Sequence, residues 1–502
     1  MTPLFVNHRF SLPQDVKTSL QQQTPQFGYN GLGEMVYQRT YARRMANGQQ
    51  EQLPDTIIRV TEGVFSVLKS HMLQHRLYWS DEDYHDYAQE FSQYMFEMKF
   101  LPPGRGLWAM GTDYVNERGS MALNNCAFAT TTDLEVAACW TMDALMCGCG
   151  VGFDTRWNGN VYQPEVVGTF VVPDSREGWV ESTGRILQGY LNYESTIPKF
   201  DYSHIRKAGA KITGFGGTAS GPGPLIKLHQ RLQAYFECYY DCQQGLSGNA
   251  AIIKMITTLK EQTIPGAEGE EPSEPSYTDD LLKQVHSIPG KTYGRSRLVA
   301  DIFNAIGACV VAGNVRRSSQ IALGRADDVE FRQLKDYIVN PERTTMWMSN
   351  NSVQLDNTDT FASDIKSIAE QLRKNHNGEP GFHNLINTQE HGRVGKKHMG
   401  NSWTREQEID KAIGTNPCLT GDTVIETIEG NYPITDLLGK KFTVEIDGQK
   451  YDSTEAGFWT TGIKQVYQVT LENDCRIKAT VNHKFFTRDN DEGTELRHLR
   501  VD

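Results

Sequence analysis

The sequence of 502 residues lacks a long apolar run and lacks an excess of positive charge. No stretch approaches the roughly 18–20 consecutive apolar residues that a membrane-spanning helix requires. The 62 acidic residues outnumber the 50 lysines and arginines, which argues against a dedicated nucleic-acid surface but permits a small anionic substrate. The first residues, Met1–His8, lack the basic and then apolar pattern of a signal peptide. We therefore expect a cytoplasmic protein with neither a membrane nor a nucleic acid as partner.

Cysteine is also scarce, with nine residues in the whole chain, and a disulfide framework is not expected in so long a cytoplasmic protein. Two close pairs occur, Cys147 with Cys149 and Cys238 with Cys242. Neither has a matching Cys or His pair at zinc-binding spacing. Buried structural thiols are the favoured interpretation of both pairs, and no metal site is predicted.

The first hundred residues are predicted to be a helical region. Apolar residues recur at helical spacing over Thr56–His75 and over Asp81–Phe100. The segment Leu101–Gly104 contains two prolines and a glycine, which should end the helical pattern. The chain length allows two to four domains, and we place the first boundary near residue 100.

Residues 101–417 are predicted to form an α/β domain. Short apolar runs such as Gly148–Phe153 alternate there with helical patterns and glycine-rich turns. One segment, Pro265–Ser276, is rich in Pro, Glu, Gly and Ser and is predicted to be a surface insertion, most simply a tolerated loop without function.

The composition changes after residue 418, and residues 418–502 are predicted to be a small all-β unit with little helix. Turn residues separate its apolar runs at Gly430–Asn431, Asp447–Gly448 and Glu472–Asp474. The predicted strands are Thr423–Ile428, Phe442–Ile446, Val466–Leu471 and Arg476–Val481.

Ten short motifs in a fixed order are the most specific feature of residues 37–418. They are Tyr37–Arg43, Pro103–Trp108, Gly111–Tyr114, Leu123–Cys126, Asp174–Trp179, Gly214–Pro222, Val311–Ser318, Ser349–Val353, Asn377–Gly381 and Gly414–Cys418. Together they resemble the class II, adenosylcobalamin-dependent ribonucleotide reductases, especially the ribonucleoside-triphosphate type. The resemblance implies that this region is the first part of a ten-stranded α/β reductase barrel.

The resemblance also implies a reaction and two site residues. In this family a thiyl radical removes the 3′-hydrogen of the ribose, and two further thiols supply the reducing electrons and become a disulfide. Cys126 matches the first reducing cysteine, and Asn416 matches the asparagine that hydrogen-bonds the ribose. Outside this motif series, a packed thiol and a turn asparagine would be the simpler interpretations. The implied cofactor is adenosylcobalamin, the substrate a ribonucleoside triphosphate, and the reductant a thioredoxin-like protein.

The family has loops between the effector-nucleotide site and the active site. Two glycine-rich segments resemble these loops, one in the motif Gly214–Pro222 and one in the motif Val311–Ser318. Glycines let backbone N–H groups approach phosphate, and Arg316 and Arg317 supply positive charge beside Asn314. A helix end followed by a solvated basic turn is the alternative. Asp133 matches the position that holds the sugar of the effector in related reductases. A deoxyribonucleoside triphosphate is therefore the expected effector.

The sequence departs from the family at Cys418. The family continues with Gly-Glu, whereas this chain has Leu419 and Thr420. As in the triphosphate reductases, the sequence contains no Asp-x-His-x-x-Gly cobalamin motif, so the cofactor is implied by the resemblance alone. A second reducing cysteine, the rest of the barrel and the C-terminal thiol pair do not follow in this sequence. We therefore expect this chain by itself not to reduce nucleotides.

The segment that starts at Cys418 resembles the N-terminal part of an intein, a Hint-like self-splicing element. Cys418–Ile425 resembles the first intein block, and Ile477–Phe485 resembles the second. In that interpretation the Cys418 thiol attacks the Pro417 carbonyl, while Thr480 and His483 activate the scissile amide. A Thr-x-x-His on a strand edge has no such meaning by itself. If Cys418 belongs to the intein, the thiyl cysteine is the first residue of the second extein.

The last residues, Leu499–Asp502, resemble the place where naturally split inteins of cyanobacterial type stop. We therefore expect a separate C-terminal intein and reductase fragment as partner, with a truncated gene as the main rival. A stand-alone autoprocessing protein, a glycyl-radical enzyme on a related barrel and a non-catalytic nucleotide sensor are weaker alternatives, because the motif series points away from each.

Overall fold

The structure is a computed structural model, and the parts of the chain that it describes lie mostly before residue 415. The described residues are 6–27, 32–45, 48–210, 218–262, 279–312, 319–343, 348–375, 378–390 and 412–415, together with residue 441 and eight short strands between 424 and 495. The predicted insertion Pro265–Ser276 lies outside them.

Four helices form the N-terminal region: α1 (Gln14–Gln22), α2 (Leu32–Thr40), α3 (Leu53–Gln74) and α4 (Asp81–Phe96). The two predicted helices are confirmed, with α3 starting three residues earlier and α4 ending four residues earlier. The Ser80 side chain accepts a hydrogen bond from the Asp83 backbone N–H, which satisfies one free donor at the start of α4.

This helical region has an apolar core of its own. It consists of Phe10, Leu12, Val16, Leu20, Tyr37, Leu53, Ile57, Val60, Phe65, Ala88, Met95 and Phe96. The predicted break is confirmed, because α5 (Gly104–Ala109) begins directly after Pro103, and α6 (Asp113–Arg118) follows it. Arg59 of α3 donates a hydrogen bond to the Leu107 carbonyl at 2.8 Å and ties the helical region to α5.

A five-stranded parallel sheet forms the centre of the α/β region, with strand order β1-β2-β5-β6-β7. Its strands are β1 (Cys126–Ala129), β2 (Gly150–Asp154), β5 (Gln320–Arg325), β6 (Ser349–Leu355) and β7 (Gly381–Asn384). A separate parallel pair is formed by β3 (Glu165–Val171) and β4 (Thr196–Asp201). The predicted α/β class is confirmed for these residues.

Helices connect the strands, as parallel pairing requires. They are α7 (Leu134–Met146), α8 (Arg176–Leu191), α9 (Gly223–Gln243), α10 (Gly248–Glu261), α11 (Asp279–Ser287), α12 (Arg295–Val311), α13 (Val329–Arg332), α14 (Phe361–Asn375) and α15 (Leu385–Glu390). The α12 helix lies against the sheet, where Phe303 stacks on Phe153 of β2 at 4.1 Å between ring centroids. No helix in the described ranges is both long and apolar enough to cross a membrane.

Every element described after residue 415 is a strand, and these strands pair as four antiparallel hairpins. In chain order they are β8 (Val424–Thr427), β9 (Gly430–Pro433), β10 (Thr443–Ile446), β11 (Gln449–Asp452), β12 (Tyr467–Thr470), β13 (Arg476–Ala479), β14 (Lys484–Thr487) and β15 (Asn490–Glu495). β8, β10, β12 and β13 each fall inside a predicted strand. The predicted turn at Gly430–Asn431 is wrong, because Thr427 pairs with Gly430 and both turn residues belong to β9.

Candidate active site

The two faces of the five-stranded sheet differ in what covers them. Residues paired in register point to the same side of a sheet, and successive residues alternate between sides. Cys126 pairs with Gly150 and Phe128 with Gly152, so these four residues share one face. In the next two strands, β5 and β6, the residues on the same face are Ile321, Leu323, Asn350, Ser352 and Gln354.

We call this side the stem face, because residues 412–415, the stem, lie on it. A Cβ placed on Gly152 would lie 2.6 Å from the Thr415 carbonyl oxygen, and one placed on Gly414 would overlap the Phe128 ring. The stem therefore passes directly over β1 and β2. Glycine is required at both positions because two backbones, or a backbone and a ring, meet there without room for a side chain.

Two glutamine amides hold consecutive carbonyls of the stem. Gln354 is fully buried, and its Nε2 donates to the Ile413 oxygen at 2.5 Å. Gln389 of α15 donates from Nε2 to the Ala412 oxygen at 3.0 Å. The stem is thus fixed by hydrogen bonds from two different elements.

Cys126 is the first residue of β1 and is half-buried. It lies two residues before Phe128, so its side chain is on the stem face, as the pleat requires. The structure therefore brings one predicted catalytic residue and the stem to the same side of the sheet. The stem ends one residue before Asn416, the next predicted site residue.

Three of the four cysteines in the two close pairs have the environment of packed thiols. Cys147, Cys149 and Cys238 are buried, in agreement with the structural interpretation, whereas Cys242 is half-buried and its hydrogen bond with Cys238 lowers its pKa. Burial raises the pKa of the Cys149 thiol to about 11 and raises the pKa of Cys147 and of Cys238 as well. A raised pKa keeps a thiol protonated and weakens it as a nucleophile.

Asp133 is exposed and caps α7, where its Oδ1 accepts the Val136 backbone N–H at 3.0 Å. The turn before it is anchored to β2, because the buried Asp154 accepts hydrogen bonds from the Thr131 N–H at 3.1 Å and from its hydroxyl at 2.6 Å. The position of Asp133 is thus defined by the sheet. Its role toward an effector stays a prediction.

The remaining predicted site residues lie outside the described residues. They are Asn314, Arg316, Arg317, Asn416, Cys418, Thr480 and His483. Sequence reasoning missed Gln354, which bonds the stem, and Arg156, which bonds Gln354. Both contacts join residues that are far apart in the chain. Gly152 did carry a signal, since a glycine inside an apolar strand indicates close approach of another backbone.

A cleft of about 580 Å³ lies at the carboxyl ends of β2 and β5. Three arginines line it, Arg156, Arg295 and Arg325. Part of its charge is already paired, since Arg325 bonds Asp327 at 2.8 Å. Glu330 accepts a hydrogen bond from the Gly294 N–H at 2.5 Å. Among the described residues, no three His, Cys, Asp or Glu side chains are grouped as metal ligands would be.

Two family models match the chain within the regions just described. Residues 12–112 match the ribonucleotide reductase alpha domain. Residues 148–235 match the insertion domain of B12-dependent ribonucleotide reductase. The chain is therefore similar to the ribonucleotide reductases as a class of protein.

Individual relatives indicate the type of ribonucleotide reductase to which the chain is similar. An adenosylcobalamin-dependent ribonucleoside-triphosphate reductase of Euglena gracilis is 38% identical over 426 residues, which are 82% of this chain and 49% of the relative. A probable enzyme of the same description from Dictyostelium discoideum is 32% identical, over 83% of this chain and 51% of its own length. The chain spans about half the length of the curated relatives it matches.

A solved structure supports the same relation. The crystal structure of a B12-dependent (class II) ribonucleotide reductase matches this chain with a TM-score of 0.53 and 25% sequence identity. The match covers 77% of this chain and 53% of the chain in that structure. The chain is therefore similar to the class II ribonucleotide reductases, and its α/β fold with a parallel sheet is similar to theirs. Closure of a ten-stranded barrel stays a prediction.

Proposed function

We propose that residues 1–417 are the first part of an adenosylcobalamin-dependent ribonucleoside-triphosphate reductase, and that residues 418–502 are the N-terminal segment of an intein. Residues 1–100 would be its helical region and 101–417 the first part of the barrel. The main support is the stem, which lies on the sheet face of Cys126 and leads directly to the junction at Pro417 and Cys418.

The chain geometry is consistent with a reaction at this face. Three peptide units separate Thr415 from residue 418, and they span at most about 11 Å. In the spliced enzyme the residue that follows Pro417 would be the thiyl cysteine, and Asn416 would hold the ribose. Both would then remain within reach of the face on which Cys126 lies.

The proposed reduction balances as follows. The thiyl sulfur takes the 3′-hydrogen atom of the ribose, and the 2′-hydroxyl leaves as water after it accepts a proton. Cys126 and a second thiol give two electrons and two protons and become a disulfide, which a thioredoxin-like protein reduces. One of these protons leaves in the water, and the other forms the new C2′–H bond with the two electrons. The hydrogen atom then returns to C3′ and the thiyl radical is restored. A deoxyribonucleoside triphosphate bound near Asp133, Asn314, Arg316 and Arg317 would act as effector.

The proposed cofactor, adenosylcobalamin, rests on the names of the relatives and on the matched insertion-domain model. The cofactor is much larger than the cleft at the ends of β2 and β5. We assign no residue of this chain to cofactor contact.

The proposed splicing step is an acyl transfer. The Cys418 sulfur attacks the Pro417 carbonyl carbon, a thioester forms, and the bond to the Cys418 nitrogen breaks. His483 protonates the departing nitrogen, and Thr480 polarises the amide. The hairpins β8–β9, β10–β11 and β12–β13 support an all-β element in this part of the chain.

The proposal is tested by mixing the purified chain with a chain that supplies the C-terminal intein segment and the rest of the reductase. Mass spectrometry should find a product in which Pro417 is joined to a new cysteine and residues 418–502 are lost. That product should reduce ribonucleoside triphosphates when adenosylcobalamin and a dithiol are added. An unchanged chain that is also inert to added thiol contradicts the splicing proposal.

Two single variants separate the two activities. Cys418→Ala should abolish splicing, because it removes the attacking sulfur. Cys126→Ala should splice at the wild-type rate and yield an inactive reductase. Loss of splicing in the Cys126 variant would contradict the division of roles.

A further inference from the structure

The stem is held by a hydrogen-bond relay that begins at the carboxyl ends of β1 and β2. Asp154 is fully buried and accepts the Arg156 backbone N–H at 3.1 Å and the Thr131 N–H at 3.1 Å. The Arg156 Nη2 donates to the Gln354 Oε1 at 2.9 Å. The Gln354 Nε2 then donates to the Ile413 carbonyl at 2.5 Å. The relay thus joins three strands to the segment that crosses them.

We infer that Gln354, oriented by Arg156, is a positioning residue that fixes the stem, and therefore the point from which the chain continues to Asn416, on the sheet face of Cys126. This role rests on the proposed function as far as the reaction is concerned. The docking of the stem itself does not, since it follows from contacts among described residues.

The order of donors explains why both residues are needed. A guanidinium has only donors, so Arg156 can pair only with the oxygen of the Gln354 amide. The amide nitrogen is then turned toward Ile413, whose carbonyl can only accept. Without Arg156 the amide can turn over and place oxygen against oxygen. Because Gln354 is fully buried, water cannot replace the lost bond at low cost.

Steric fit completes the docking. The Phe128 ring packs where Gly414 has no side chain, and Gly152 leaves room for the Thr415 carbonyl. Gln389 bonds the neighbouring carbonyl of Ala412 from α15. The stem can therefore lie on the sheet in one register, and a shift by one residue would lose both carbonyl bonds and meet the Phe128 ring.

The first test is hydrogen exchange on the intact chain, followed in the peptides that contain residues 412–415. Gln354→Leu keeps the volume and removes both bonds, whereas Gln354→Glu keeps the Arg156 pair and faces the Ile413 carbonyl with an oxygen. Exchange in the stem should accelerate about tenfold in both variants, as expected for loss of one buried hydrogen bond. An unchanged rate in both overturns the inference.

A matched control is available in Gln371 of α14. Like Gln354, it forms hydrogen bonds through both amide atoms, here accepting from the Arg332 Nε at 3.0 Å and donating to the Arg332 carbonyl at 3.0 Å. Gln371→Leu removes this half-buried glutamine–arginine pair between α13 and α14. It should leave exchange in the stem at the wild-type rate. Equal acceleration in this control would mean general loosening and would overturn the inference.

The second test uses the completed reductase, formed with the fragment that supplies the rest of the enzyme. A positioning role predicts that Gln354→Leu lowers kcat about tenfold while KM for the nucleotide stays within about twofold, because alignment and not binding is lost. An unchanged kcat, or a rise in KM alone, overturns the role in the reaction. If the completed wild-type protein reduces no nucleotide, the proposed function fails, and the exchange experiment decides the docking of the stem separately.

Discussion

The stem face and the opposite face of the same sheet, which we call the helix face, are built from alternate residues of the same strands. On the helix face Val151, Phe153, Ala322 and Val353 are almost completely buried, and Phe153 stacks on Phe303. On the stem face Ile321, Leu323 and Gln354 are buried as well, but Cys126 and Ser352 are half-buried and Asn350 is exposed. The comparison shows how a strand of only five residues can serve a core and a site at once.

The difference follows from the pleat. Residues that alternate along a strand experience two separate environments, so packing on one side still allows polar and small residues at some positions on the other side. Gly152 and Phe153 are neighbours in the chain, yet one receives the stem and the other the α12 helix. Substitutions at adjacent positions should therefore have effects of different kinds.

The largest effect is expected for activity at Cys126. In the completed reductase, Cys126→Ala should reduce turnover to background, while the free energy of unfolding changes by less than about 0.5 kcal/mol, because the residue is only half-buried. The measurements are nucleotide reduction and urea unfolding. The buried Cys149→Ala is the contrast, with turnover kept and stability lower by about 1 kcal/mol. Equal changes in turnover and in the free energy of unfolding for the two variants would contradict the difference between the stem face and the helix face.

The largest effect on stability is expected for Phe153 on the helix face. Phe153→Ala should lower the free energy of unfolding by about 3–5 kcal/mol, because it leaves a cavity beside Phe303. Urea unfolding followed by circular dichroism gives the value. A loss below 1 kcal/mol would show that the helix face is not the tightly packed side.

A smaller effect is expected for Gly152 on the stem face. Gly152→Ala should displace the stem and destabilise the chain by about 1–3 kcal/mol, because the added methyl group meets a backbone oxygen. Gly150→Ala on the same strand and face is the control, since its added Cβ would lie no closer than 3.3 Å to the Ser319 carbonyl oxygen. Equal losses in the two variants would contradict the position of the stem.

The last effect concerns pH and the helices behind the helix face. Complete burial in α9 lowers the pKa of His229 from 6.5 to about 3. Below pH 6.5 the imidazole therefore binds a proton in the unfolded chain but stays neutral in the folded chain. The contribution of His229 to the free energy of unfolding is fully present above pH 6.5 and falls as the pH drops toward 3. Between pH 6.5 and 5 the loss should be about 2 kcal/mol.

His229→Gln should remove this part of the pH dependence, as measured by urea unfolding at several pH values. The imidazole bonds the Tyr202 hydroxyl at 2.8 Å, and Ser182 lies at 3.3 Å, so the variant will also be less stable at neutral pH. An unchanged slope between pH 6.5 and 5 would show that His229 is not the group that titrates.

Much of the local structure was predictable from the sequence. The helices α3 and α4 follow from apolar spacing and from the cap at Ser80, and the break at Pro102 and Pro103 follows from proline chemistry. The strands β8, β10, β12 and β13 follow from short apolar runs. The turn at Gly430–Asn431 was wrong because hairpin register depends on pairing between strands, which composition does not determine.

The candidate site was predictable only in part. The motif ending in Cys126 identified one residue, and its strand position agrees with a role at the stem face. Nothing in the local sequence near Gln354 or Arg156 indicates that their side chains meet, since 198 residues separate them. Such contacts depend on the order of parallel strands, which brings the carboxyl ends of β2 and β6 within reach of one side chain.

The sequence by itself determined the periodic elements, the sign of the charge and the ordered motifs that relate the chain to a family, because these depend on the identity and spacing of neighbouring residues. Only the tertiary structure decided which face of the sheet receives the stem and which amides hold it. A parallel sheet joins residues from distant parts of the chain, and the direction of a buried side chain is settled by the partners that packing supplies.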